Sequence, residues 1–95
     1  MTIDDRRWNL TLYVIGGGSL ASSNAIATIR RICENELAGR VNLEIVDIHK
    51  HPEAMEADNI LAVPSLIKRL PPPLRRIVGD LSDPVILRAA LELDT

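Results

Sequence analysis

The chain has 95 residues, 46% of them apolar, with a formal net charge of −2 and a single cysteine. This suits one domain spanning residues 1–95 and excludes a disordered tail. Slight acidity gives no attraction for nucleic acid, no apolar run approaches the roughly 20 residues that cross a bilayer, and Cys33 alone excludes an intramolecular disulfide.

Residues 1–8 are polar and charged, lack the apolar run of a signal peptide, and are expected to be flexible. The expected compartment is the cytoplasm. Asn9 to Ile15 predicts a first strand, with Leu10, Leu12 and Val14 on one face and Tyr13 and Ile15 also apolar, so both faces are covered. Gly16-Gly17-Gly18-Ser19 breaks it. Ala25, Ile26, Ile29, Ile32, Cys33 and Leu37 recur at helical spacing and predict one helix over about Ala21 to Ala38, stopped by Gly39. Val41 to Ile48 alternates apolar and polar residues and predicts a second strand, parallel to the first through a right-handed crossover. Pro52 suits the first turn of a short helix over about Pro52 to Asn59.

Ala62 to Ile67 reads as a third strand with Pro64 at its entry. Pro71-Pro72-Pro73 reads as a stiff extended turn, and Leu74 to Val78 as an antiparallel partner ended by Gly79. Asp83 caps a last helix that accepts Pro84 in its first turn and runs to about Leu93. The order is βαβαββα. That is the α/β thioredoxin arrangement, a central mixed sheet with helices on both faces.

A thioredoxin-type reductase needs Cys-x-x-Cys where the first strand meets the first helix, because the helix N-terminus lowers a thiol pKa there. This chain has Gly17, Gly18, Ser19 and Leu20 at that junction, and Cys33 lies on the apolar stripe three turns on. Two-cysteine exchange is excluded, and Cys33 reads as a core residue. Gly16-x-Gly18-x-x-Ala21 nominally fits a dinucleotide fingerprint, but the acidic residue about 20 positions on falls near Glu36, inside the helix. His49 and His51, beside Asp47 and Glu53, have the spacing of a metal pair but read as a polar loop. No cofactor and no catalytic set is expected. Trp8 and Tyr13 are the only aromatic residues, so no platform exists for stacking bases.

Lys68, Arg69, Arg75 and Arg76 bracket the triple proline. A hairpin would bring their charges together, either as a solvated edge that discourages aggregation or as a docking surface for an acidic partner.

Ile60-Leu61-Ala62-Val63-Pro64-Ser65-Leu66, continuing through Leu70-Pro71-Pro72-Pro73-Leu74-Arg75-Arg76-Ile77-Val78-Gly79-Asp80-Leu81-Ser82, resembles the signature of the KaiB family of bacterial clock proteins. Leu12-Tyr13-Val14 and Ile45-Val46-Asp47 match its pattern too, and the likeness covers about Leu10 to Leu93. The sensor domain of the clock-output histidine kinase shares the Val-Pro element but is less similar around the triple proline. The resemblance implies a metamorphic protein. One form is a homotetramer of fold βαββααβ, the other a thioredoxin-like monomer that binds a KaiC-type ATPase without catalysis of its own. Self-association to a dimer or tetramer is therefore expected, with no nucleic acid and no membrane as partner.

The implied switch residues are Pro64, Pro71, Pro72, Pro73, Ala90 and Glu92. X-Pro bonds can adopt different isomers in two folds. Ala90 stands where the family often has glycine, which favours a helix there by about 1 kcal/mol. Glu92 replaces an aspartate. Asn24 and Glu44 stand where cyanobacterial relatives carry basic residues, which argues against capture of KaiA. The competing readings are a thioredoxin-fold oxidoreductase or transferase, a stress-response interaction protein that does not bind KaiC, and a structural oligomer without a partner.

Overall fold

The computed structural model describes residues 7–17 and 19–93. The sequence elements appear in the expected order, with shifted boundaries. Strand β1 is Trp8–Val14, helix α1 Leu20–Glu36, β2 Val41–Asp47, α2 Glu53–Ala57, β3 Ser65–Leu70, β4 Arg75–Val78 and α3 Pro84–Ala90. The sheet order is β2-β1-β3-β4. β1 and β2 are parallel, as the long α1 crossover requires; β3 runs antiparallel to both β1 and β4.

The pleat divides the chain into two cores. Leu10 and Leu12 of β1, Leu66 of β3 and Ile77 of β4 pack under Ala25, Ile29 and Ile32 of α1 and Leu87 of α3. Tyr13 and Ile67 face the other way and pack with Ile60, with Met55 of α2 and Val63 alongside. Helices cover both faces, so β1 is buried on both, which explains its near-continuous apolar run.

Each helix carries its own start and stop signals. The Ser19 hydroxyl accepts the Ser22 N–H at 3.2 Å and caps α1. The chain leaves α1 through Gly39 at φ +78°, a conformation glycine adopts without steric cost. Asp83 accepts the Val85 N–H at 2.9 Å and caps α3, with Pro84 at its first position.

Three boundaries differ from the sequence reading. The third strand is Ser65–Leu70 rather than 62–67. It is paired on both sides, and a proline lacks the N–H that such a strand must donate, so pairing begins after Pro64. The last helix ends at Ala90 rather than Leu93, because Glu92 takes φ +61° and turns the chain out of the helix. Trp8, grouped with a flexible start, opens β1, is buried, and donates its backbone N–H to the Arg40 carbonyl at 2.7 Å. The rest of that expectation, residues 1–6, lies outside the described residues. The Val63-Pro64, Leu70-Pro71 and Pro72-Pro73 peptide bonds are cis, so the triple proline is not the all-trans extended turn expected.

Candidate protein-binding surface

The β3–β4 hairpin carries all four basic residues singled out from the sequence, and the pleat separates them into pairs. Lys68 is paired across the strands with Arg75, on the face under α1 and α3; Arg76 is paired with Ile67 on the opposite face, where Arg69 also bonds. A single basic patch does not form.

On the first face, Lys68 is buried. Its ammonium donates to the Pro71 carbonyl at 2.8 Å and lies 5.8 Å from the centre of the Trp8 ring. Its methylene stem fills space while its charge is met by the turn and the indole face. Arg75 donates to Glu92 at 3.0 Å, an exposed pair that ties β4 to the turn after α3. Ala90 is the last residue of α3, one turn from that pair.

On the second face, Arg69 forms a fork onto Asp58, Nη1 to Oδ1 at 3.0 Å and Nη2 to Oδ2 at 2.5 Å, and donates its Nε–H to Thr11 Oγ1 at 3.2 Å. The Tyr13 hydroxyl donates to the same Asp58 carboxylate. The Arg69 hydrogen bonds hold the Asp58 carboxyl below the usual carboxylate range, against partial burial. Burial, with the Asp58 bond behind it, pushes the Tyr13 hydroxyl up to about 12. Arg76 lies next to this network and makes no hydrogen bond or ion pair among the described residues. It lines a groove of about 200 Å³ together with Ile60, Leu61, Ala62, Ile67 and Val78.

Sequence reasoning missed Tyr13, Thr11, Asp58 and Trp8 as partners of the hairpin. The alternation of strand side chains carried a usable signal: it separates Lys68 from Arg69 and Arg75 from Arg76. Nothing local marks Asp58, which is one carboxylate in an acidic stretch and meets Arg69 only through the fold.

The other candidates fall elsewhere. Cys33 is buried in the α1 stripe, and burial pushes its thiol up to about 11, so it is protonated at neutral pH. Gly16, Gly17 and Ser19 occupy the β1–α1 junction; Gly18 lies outside the described residues. Asp47 accepts the His49 N–H at 2.9 Å and the Gly16 N–H at 3.3 Å, so it ties two loops together. His51 pairs with Glu53 at 3.4 Å. Among the described residues no three His, Cys, Asp or Glu side chains are placed to hold a metal, and no helix is long and apolar enough to cross a membrane.

The model of the KaiB domain matches residues 11–93. The chain belongs to the KaiB family. It is 46% identical to circadian clock protein KaiB3 of Synechocystis sp. over 85% of this chain and 78% of that protein. It is 53% identical to circadian clock oscillator protein KaiB of Prochlorococcus marinus over 78% of this chain, and spans 61% of that relative's length. Solved structures confirm the thioredoxin-like arrangement of this KaiB domain. The N-terminal domain of SasA from Synechococcus elongatus superposes with TM-score 0.70 at 20% identity, covering 94% of this chain and 87% of that one. Oxidised mitochondrial thioredoxin 3 from Saccharomyces cerevisiae gives 0.71 at 12% identity, covering 90% and 76%. The family is thus that of clock proteins, and the observed KaiB fold is the thioredoxin-like βαβαββα, not the alternative βαββααβ.

Proposed function

We propose that this KaiB domain is a non-catalytic, cytoplasmic timing regulator that binds a KaiC-type ATPase in its thioredoxin-like form and modulates that enzyme's cycle. The observation that carries the reading is a thioredoxin-like fold, matched by the KaiB family over residues 11–93, whose thiol position is filled by Gly17 and Ser19. With Cys33 buried and protonated, the chain retains the scaffold of a thiol enzyme without its nucleophile. No cofactor enters this reading.

The test is capture of the cognate KaiC-type ATPase by the immobilised chain, with and without ATP, followed over hours. Slow capture with a lag is expected, as for a partner that draws off a minor state. Absence of capture by any cognate ATPase overturns the reading. KaiA is not expected in the complex. Ala90, at the end of α3, stabilises the helical form relative to a glycine-bearing relative. A monomer is therefore expected to be populated alongside dimer or tetramer in sedimentation at micromolar concentration. A tetramer with negligible monomer would refute that bias.

A further inference from the structure

β4 is the last strand of the sheet and has no strand on its outer side. Arg76 and Val78 stand two residues apart on β4, so their side chains project to the same face. The groove beside them is walled by Ile60, Leu61, Ala62 and Ile67, and Leu61 is 96% exposed. Asp58 spends its carboxylate on Arg69 and Tyr13, and Arg76 is left without a bonded partner. Two guanidinium groups therefore share one carboxylate at this rim, a local surplus of positive charge beside an apolar slot.

We propose that the free edge of β4 takes up an extended segment of a partner protein as a fifth strand, carrying a carboxylate opposite Arg76 and an apolar side chain two positions away, opposite Val78, seated in the groove. The inference rests on the reading that the chain acts by binding a protein, and it names the chemistry of the segment bound. Main-chain hydrogen bonds supply affinity in such strand addition, and alternate side chains supply specificity. Opposite charges facing across two strands stabilise the pairing, and like charges oppose it. A second copy of this chain would bring Arg75 and Arg76 against the same pair, so charge favours an acidic segment over self-pairing.

The test uses the full chain, nitrogen-15 labelled, and the peptide acetyl-Ser-Val-Glu-Thr-Leu-Thr-Ser-amide, with a counterpart bearing Lys for Glu. Amide shifts are expected to concentrate at residues 75–78 and 59–62. Arg76→Glu should weaken the Glu peptide about tenfold or more and transfer preference to the Lys peptide. Ala62→Trp should fill the groove and abolish binding with the thermal melt unchanged. The proposal fails if no saturable binding occurs up to millimolar peptide, or if both peptides bind alike. It also fails if the shifts fall on β2, or if β4 signals move with protein concentration alone. ATPase capture by the same variants separates the two readings. Capture unaffected by either variant, with no peptide binding, overturns this inference and leaves the KaiC-type reading standing. Peptide binding as described, with no ATPase captured, does the reverse.

Discussion

Tyr13 is the only tyrosine, so its ionisation can be followed by absorbance without ambiguity. Its hydroxyl is pushed up to about 12 by burial and by the bond to Asp58. A raised pKa contributes stability that is full below the unfolded value of about 10 and is lost as pH rises through the folded value. The tyrosinate titration should therefore lag that of the unfolded chain, and Asp58→Asn should bring its midpoint down. An unchanged midpoint in Asp58→Asn would contradict the role given to that bond. The same substitution leaves the partly buried Arg69 without its counter-ion, which costs about 1–3 kcal/mol in a denaturant melt.

Lys68 belongs to the core rather than to the surface. Lys68→Met keeps the stem and removes the ammonium, so it should lower stability by about 1–3 kcal/mol through the lost charged hydrogen bond to Pro71. Gly16 marks a close approach: a Cβ there would lie 2.1 Å from Asp47 Oδ2. Gly16→Ala must push the Asp47 carboxylate aside and break its bonds to the Gly16 and His49 N–H groups. A lower melting temperature is expected, with Gly16→Ala in an Asp47→Ala background costing less.

At the scale of elements, α3 has seven residues, and its boundaries depend on local chemistry. Asp83→Ala removes the cap and should cost about 1 kcal/mol. Ala90→Gly should cost a similar amount by freeing the last turn, read as faster amide exchange in α3. Helix positions were legible because caps, Pro84 and Gly39 are local signals. The start of β3 was legible in principle from Pro64, yet its far end was not. Lys68 and Arg69 are poor strand residues by composition, and they enter β3 because β1 and β4 pair on either side. The edge strands show how charge follows topology. Glu44 is exposed on β2 and Arg76 on β4, at the two ends of the sheet, where charged side chains blunt open edges.

For the whole molecule, three carboxyls are held below their usual range by hydrogen bonds formed only in the fold. Asp47 is lowered foremost by the His49 N–H, Asp58 by Arg69 and Asp80 by the Ser82 hydroxyl. A depressed pKa contributes stability that is full above the unfolded value of about 3.9 and is lost as pH falls through the lower folded value. Stability should hold steady from neutral pH to about 5 and decline below about 4. Asp58→Asn should flatten that decline in acid melts, and an equally steep decline would remove Asp58 from the account.

By itself the sequence determined the element order, the parallel β1–β2 unit, the missing thiol pair at the first strand–helix junction and the signature of the KaiB family. These rest on local periodicity, on caps and on which residues are absent, all of which act within a few positions of the chain. Only the tertiary structure decided what the basic residues do. The pleat sent Lys68 and Arg75 to one face and Arg69 and Arg76 to the other, and the loop after α2 brought Asp58 to Arg69 across eleven positions. Charge pairing depends on distance in space, which a chain acquires only when its strands take their places. That is why the sequence named four cations together, and the fold left Arg76 alone of them without a bonded partner.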